Sequence, residues 1–217
     1  MNNNSRYTPS NAPYKDVVGI QFSIMSSEEI VNQSVVIINN SDLFDKGVPK
    51  PNGLYDLRMG TTDKKFNCQT CMSDLINCQG HFGHMLMSVP VYNVCYMKHI
   101  HKVLQCVCMR CSTLLEKTPS ETQSPSCITK SRAMLRFKRV YESIKKLCVC
   151  HECDFQQPKW VMDNTSLSCV FVDKTHTCNA GTVLSILRKI SDNDCLRLGH
   201  DPKYSHPKNM IIDVLPI

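Results

Sequence analysis

The chain has 217 residues, 42% hydrophobic and 20% charged, which is apolar enough to build one sizeable domain or two small ones and too apolar for a disordered chain. No run of about 18 apolar residues occurs, and the polar start Met1-Asn2-Asn3-Asn4-Ser5-Arg6 lacks an apolar signal region, so neither a membrane span nor secretion is expected. The net charge of +6 is local: residues 1–100 hold eight basic and eight acidic side chains, whereas 129–147 carries seven basic residues against one glutamate.

Residues 1–15 are rich in Asn, Ser and Pro and read as a flexible tail. Val18, Ile20, Phe22 and Ile24 alternate with less apolar neighbours, which predicts a strand over 17–25. Ser26 followed by Ser27-Glu28-Glu29-Ile30 predicts a capped helix start, and Val35 to Ile38 a second strand. Residues 45–62, rich in Gly, Pro and Asp, read as an extended, turning segment. Val94, Met97, Ile100 and Leu104 share one helical face, as do Met134, Phe137, Tyr141, Ile144 and Leu147 in 132–147. Between these helices, 118–128 is a polar loop. Val183, Ile186, Leu187 and Ile190 mark a further helix. A short one follows, with Ser191 to cap it and Gly199 to end it. Met210 to Leu215 reads as a buried strand.

Fourteen cysteines without a secretory signal point to metal rather than disulfides. Cys68-x2-Cys71-x6-Cys78-x2-His81 supplies three thiolates and one imidazole, a full tetrahedral set for zinc. The two-residue spacers let each pair reach one ion from a sharp turn, and Gly80 and Gly83 permit tight backbone paths beside His81. Cys108-x2-Cys111 and Cys150-x2-Cys153 read as a second zinc site with the intervening chain looped out. Cys106 and Cys148 also precede ligand candidates by two residues, which leaves Cys148 or Cys150 open as the third ligand. Both sites look closed, hence structural rather than catalytic. Cys95, Cys127, Cys169, Cys178 and Cys195 have no ligand spacing and read as ordinary thiols. His84 reads as a local hydrogen-bonder, and Asp192 and Asp194 as first-turn helix residues. Zincin, deaminase and phosphate-loop patterns are absent.

Several of these segments together resemble the N-terminal region of the largest subunit of multisubunit DNA-directed RNA polymerases. The resemblance rests on Gly53-Leu54-Tyr55-Asp56-Leu57-Arg58-Met59-Gly60, then the Cys68, Cys71, Cys78, His81 run with Gly80-His81-Phe82-Gly83-His84. Val18 to Ser23 with Ser27-Glu28-Glu29-Ile30 is similar to that family's opening. Pro90-Val91-Tyr92-Asn93, Cys106 to Cys111, Cys153-Asp154-Phe155-Gln156-Gln157-Pro158 and His206 to Pro216 follow in the family's order. The similarity runs from about Val18 to Ile217. The compact Cys150-x2-Cys153 pair and Met59-Gly60-Thr61-Thr62-Asp63 are similar to polymerases of large DNA viruses.

The resemblance implies an α+β clamp module with short strands, several helices and two structural zinc ions, spanning 16–217. Within it the first zinc site falls in 67–84, the second with its basic helical insert in 106–153, and helices with a closing strand in 179–217. It implies a mobile module that closes over DNA and the RNA–DNA hybrid. Its partners would be the second-largest polymerase subunit and the remainder of the largest, in the nucleus or cytoplasm and not on a membrane. The family's magnesium-holding Asp-x-Asp-x-Asp run has no counterpart in these residues. The chain is therefore expected to be a split or partial subunit that belongs to a nucleotidyltransferase without catalysing the reaction itself. Lys130, Arg132, Arg136, Lys138, Arg139, Lys145 and Lys146 are the expected nucleic-acid contacts, against the plainer reading of a solvated helix face. A free-standing zinc module, ubiquitin-ligase-like or DNA-binding, is the alternative. The six residues between Cys71 and Cys78 are too few for the long first loop of the one or the helix of the other.

Overall fold

A computed structural model of the chain describes residues 18–20, 22–116, 133–144, 147–163, 166–171 and 174–217. The expected tail over 1–15 and the polar loop over 118–128 lie outside them. Helix α1 (Ser27–Gln33) starts where the capping signal puts it. The Ser26 side chain accepts from the Glu29 N–H, and the Glu29 carboxylate accepts from the Ser26 N–H, a reciprocal capping box. The chain then makes β1 (Val36–Ile37) and a short hairpin of β2 (Phe44–Asp45) and β3 (Val48–Pro49) within the turning segment.

The long strand β4 (Gly83–Tyr92) is central to a three-stranded sheet. It runs parallel to β1 and antiparallel to the last strand, β8 (Ile211–Pro216), with a register irregularity between Leu86 and Val91. A 3₁₀ turn (Val94–Tyr96) leads from β4 into α2 (Met97–Cys106). Met97, Ile100, Val103 and Leu104 of α2 are buried together, while Val94 lies outside the α-helix and is exposed. After α3 (Ala133–Ile144) come β5 (Lys159–Met162), β6 (Leu167–Phe171) and β7 (Lys174–Cys178), an antiparallel meander in chain order. Helices α4 (Ala180–Arg188), capped by Asn179, and α5 (Asp192–Arg197), capped by Ser191, complete the core with Val183, Leu187, Ile190, Cys195 and Leu198. A 3₁₀ turn (Pro207–Met210) feeds β8.

Two expectations need correction. No strand forms among the described residues of 17–25: Val18 and Phe22 are 101% and 96% exposed, because no strand pairs with them and their alternation faces no core. The fold takes hold only at Ile24, whose N–H donates to the Tyr204 carbonyl. On α3, Val140 and Ile144 are buried and Phe137 and Tyr141 half-buried, but Met134 is 83% exposed and Leu147 lies beyond the helix and is exposed. The apolar stripe is thus shorter than its periodicity suggests. The sequence pattern does not announce the meander or β4. Pro90 obscures β4, and Cys, Thr and His residues dilute the apolar alternation of β6 and β7.

Gly199 decides how α3 docks. Its φ is 81°, and a Cβ there would overlap the Ala133 carbonyl at the start of α3. Farther along α3, Phe137 packs on the His99 ring at 4.7 Å, and the Tyr141 hydroxyl donates to Gln105 at 2.8 Å. Among the described residues, no helix is long and apolar enough to cross a membrane.

Candidate metal centres

The same backbone turn occurs three times, at Cys68, Cys108 and Cys150. The N–H of each of these cysteines donates to the carbonyl five residues on: Ser73 at 2.9 Å, Thr113 at 2.9 Å and Phe155 at 3.0 Å. Each cysteine's carbonyl accepts from the N–H four residues on: Met72 at 2.9 Å, Ser112 at 2.9 Å and Asp154 at 3.1 Å. Those three residues have φ of 58°, 63° and 51°, the left-handed region that costs a non-glycine residue about 1–2 kcal/mol. Repetition of the same unfavourable conformation at equivalent positions shows that the turn, not the local sequence, dictates it. The turn folds two side chains three positions apart onto one side and aims backbone N–H groups at the first sulfur. Thr70 N–H lies 3.4 Å from Cys68 Sγ, and Arg110 N–H 3.3 Å from Cys108 Sγ.

The fourth pair, Cys78 and His81, uses a different turn. Gly80, with φ of 84°, donates its N–H to Cys78 Sγ at 3.4 Å. The consequence is two clusters. One ligand atom from each of Cys68, Cys71, Cys78 and His81 lies within 4.8 Å of every other, and the same holds for Cys108, Cys111, Cys150 and Cys153. Cys108 and Cys153 sulfurs are 3.6 Å apart, as are those of Cys111 and Cys150. Four sulfurs held tetrahedrally at 2.3 Å from one ion are spaced by about 3.8 Å, so the second cage has the dimensions of a single small dication. Cys150 belongs to this cage. Cys148 is exposed, and Cys106 is fully buried at the end of α2, outside the cluster, with its thiol pushed up to about 12 by burial.

The electrostatics of both clusters call for a cation. Burial, reinforced by the neighbouring cysteines, pushes the Cys153 thiol up to about 12, because closely packed thiols cannot all ionise without a counter-charge. In the first cluster hydrogen bonding from Ser73 draws the Cys71 thiol down to about 6. His81 Nε2 is buried among these groups with no hydrogen-bond partner among the described residues. An orphaned imidazole nitrogen beside three thiols is the donor set a borderline-soft dication satisfies.

The first cluster is held by a loop that spacing alone does not single out. Asp56 is buried and accepts from the Asn52 N–H at 2.6 Å and from Arg58 at 2.9 Å and 2.6 Å. Arg58 holds its carboxyl down to about 2. The loop this pair stiffens offers three carbonyls to the cluster: Leu57 to Gln69 N–H, Arg58 to the Thr70 hydroxyl, and Met59 to His81 N–H. Both halves of the cluster therefore rest on one short segment. His84 stays outside it and hydrogen-bonds Ser34 Oγ at 2.7 Å.

Of the expected nucleic-acid contacts, Lys130, Arg132, Lys145 and Lys146 lie outside the described residues. Lys138 and Arg139 are exposed on α3, Lys138 lying 3.9 Å from Glu142, and Arg136 is half-buried. Asp192 and Asp194 occupy the first turn of α5, as expected, and Asp194 also faces Arg197 at 3.6 Å.

Comparison with known proteins agrees with these motifs. The sequence model of the family described as RNA polymerase Rpb1, domain 1, matches residues 14–217. A DNA-directed RNA polymerase II subunit RPB1 from Euplotoides octocarinatus is 31% identical over 237 aligned positions, covering 100% of this chain and 49% of the relative. A DNA-directed RNA polymerase subunit Rpo1N from Methanocaldococcus jannaschii is 30% identical over 219 positions, covering 94% of this chain and 16% of that protein. The chain thus spans about half the length of the first relative and a smaller part of the second.

Proposed function

The chain belongs to the RNA polymerase Rpb1 domain 1 family, and from that premise we propose that it is the zinc-braced clamp part of a DNA-directed RNA polymerase, acting in DNA-templated transcription. The observation that carries the reading is the pair of four-ligand clusters inside a family match of nearly full length. Cys68, Cys71, Cys78 and His81 hold one zinc ion, and Cys108, Cys111, Cys150 and Cys153 hold the other. When bound, each ion neutralises its thiolates and joins two chain segments, and those of the first centre have little apolar surface of their own to bury. With four protein ligands at each centre, neither zinc offers an open position, and both are structural.

The architecture between the centres supports a rigid arm. A single residue separates His81 from β4 and another separates Cys108 from α2, so β4, the 3₁₀ turn and α2 connect one centre to the other along the chain. The domain runs over 16–217, after a tail over 1–15. The insert within 106–153 carries the basic stretch, of which Lys130, Arg132, Arg136, Lys138, Arg139, Lys145 and Lys146 contact DNA or the RNA–DNA hybrid. The second-largest polymerase subunit and the rest of the largest complete the assembly. The magnesium-dependent nucleotidyl transfer takes place on residues other than these, in the nucleus or cytoplasm.

Affinity capture of the tagged chain from the cells that express it tests the assembly. Recovery of the second-largest polymerase subunit in stoichiometric amount is expected. Recovery of ubiquitin-conjugating enzymes without polymerase subunits would overturn the reading in favour of a free-standing zinc module.

A further inference from the structure

We propose that Gln157 is the positioning residue of the second metal centre, tying its two cysteine pairs together and supplying a neutral donor to the Cys108 sulfur. The inference rests on the zinc reading above. The two pairs come from distant parts of the chain, Cys111 and Cys150 being 39 residues apart, and the 3.6 Å sulfur contacts hold only if the two turns keep their register. Gln157 spans that gap. Its Nε2 donates to Cys108 Sγ at 3.2 Å and to the Phe155 carbonyl at 2.9 Å, while its Oε1 accepts from the Met109 N–H at 3.0 Å. Its own N–H donates to the Cys148 carbonyl at 2.7 Å. One residue thus touches a ligand and the turn of the first pair, and the turn and approach strand of the second.

The amide's orientation is fixed by chemistry. The Phe155 carbonyl only accepts and the Met109 N–H only donates, so Nε2 and Oε1 cannot exchange places, and the sulfur necessarily meets an N–H. A neutral N–H donor suits a thiolate whose three neighbours are also anionic when a dication is bound. It withdraws charge from sulfur without adding any, as outer partners of metal ligands do. A carboxylate of the same shape would keep the acceptor for Met109 and set a negative charge against the sulfur. An apolar chain of the same volume would keep the packing and remove all three side-chain hydrogen bonds.

Those differences define the test on the full chain loaded with cobalt, whose charge-transfer and d–d absorption separates a four-sulfur centre from a three-sulfur, one-nitrogen centre. Loss of cobalt to excess chelator is followed for wild type, Gln157→Met and Gln157→Glu. Release from the four-sulfur centre is expected to be about tenfold faster in Gln157→Met, and faster still in Gln157→Glu with a shifted charge-transfer band. Release from the other centre stays unchanged in all three and reports that the chain is folded. If Gln157→Glu fails to fold, Gln157→Met alone carries the comparison. Equal release and identical bands in a chain that holds two cobalt ions would overturn this inference alone. A wild-type chain that holds fewer than two would overturn the zinc reading, and this inference with it.

Discussion

The two candidate metal centres share a backbone turn and differ in what surrounds it. Around the second, Cys108 and Cys150 are fully buried and belong to the same core as Val107, Leu114, Leu115 and α2. Around the first, Cys68 is buried, but Cys71 is exposed, Ile76 is 84% exposed, and none of these residues joins the hydrophobic core. A turn strained at Ser112 is supported by packing as well as by its ligands; a turn strained at Met72 has only its ligands and the Asp56 loop. The lesson is that identical cysteine spacing need not imply equal dependence on metal, because the same turn is stabilised by different forces in the two places.

The sharpest way to break that contrast is Cys71→Ser. Structural zinc contributes on the order of 10–16 kcal/mol to the folding of small metal-dependent units, so residues 67–82 should lose all protection in hydrogen exchange while α2 and α4 keep theirs. Protection that persists in 67–82 would mean that the Asp56 loop alone can hold the lobe. Next in size is Leu104→Ala, which empties a fully buried position beside the second centre and should cost about 2–5 kcal/mol. Thermal unfolding reads that loss, and chelator access to the first centre should not change.

Asp56→Asn sharpens the contrast from the other side. The Asp56 carboxyl lies at about 2 rather than 3.8, so its ionised form favours the folded loop. That stabilisation is complete above about pH 4 and is lost only as pH falls toward 2, and amounts to on the order of 2 kcal/mol. Denaturant melts of wild type and Asp56→Asn at fixed zinc should therefore differ by the same amount at pH 7 and pH 5. A gap that changes between those values would contradict the assignment. The smallest effect on folding is expected from Lys138→Glu with Arg139→Glu, within about 0.5 kcal/mol. In the assembled polymerase the same pair should flatten the salt dependence of DNA binding, by about one unit of slope for each phosphate no longer neutralised. An unchanged slope would leave α3 as a solvated face.

How much of this was legible in the sequence depended on whether the cause was local. The Ser26 and Ser191 caps, the cysteine spacings and the cores of α2 and α4 each follow from a few neighbouring residues, and the structure has them where the pattern put them. The strand expected over 17–25 failed because alternation makes a strand only where a partner strand pairs with it. The meander escaped because Cys169, His176 and Cys178 hold positions where alternation normally shows aliphatic residues. Spacing favoured Cys150, separated from Cys153 by the two residues usual in a zinc turn, but left Cys148 open as the alternative third ligand. The turn geometry decides it, drawing Cys150 inward and leaving Cys148 to accept the Gln157 N–H through its carbonyl. Asp56 and Gln157 stand in family-like motifs without an evident role, because the Asn52 and Arg58 groups that Asp56 accepts from and the Cys108 and Met109 groups that Gln157 reaches across the chain form contacts that no spacing rule reports.

Native mass spectrometry of the purified full chain tests the two-centre reading most directly. Two zinc ions per chain are expected, the first removed by chelator coming from the exposed centre at Cys71. A chain that remains folded with fewer than two bound zinc ions would contradict it.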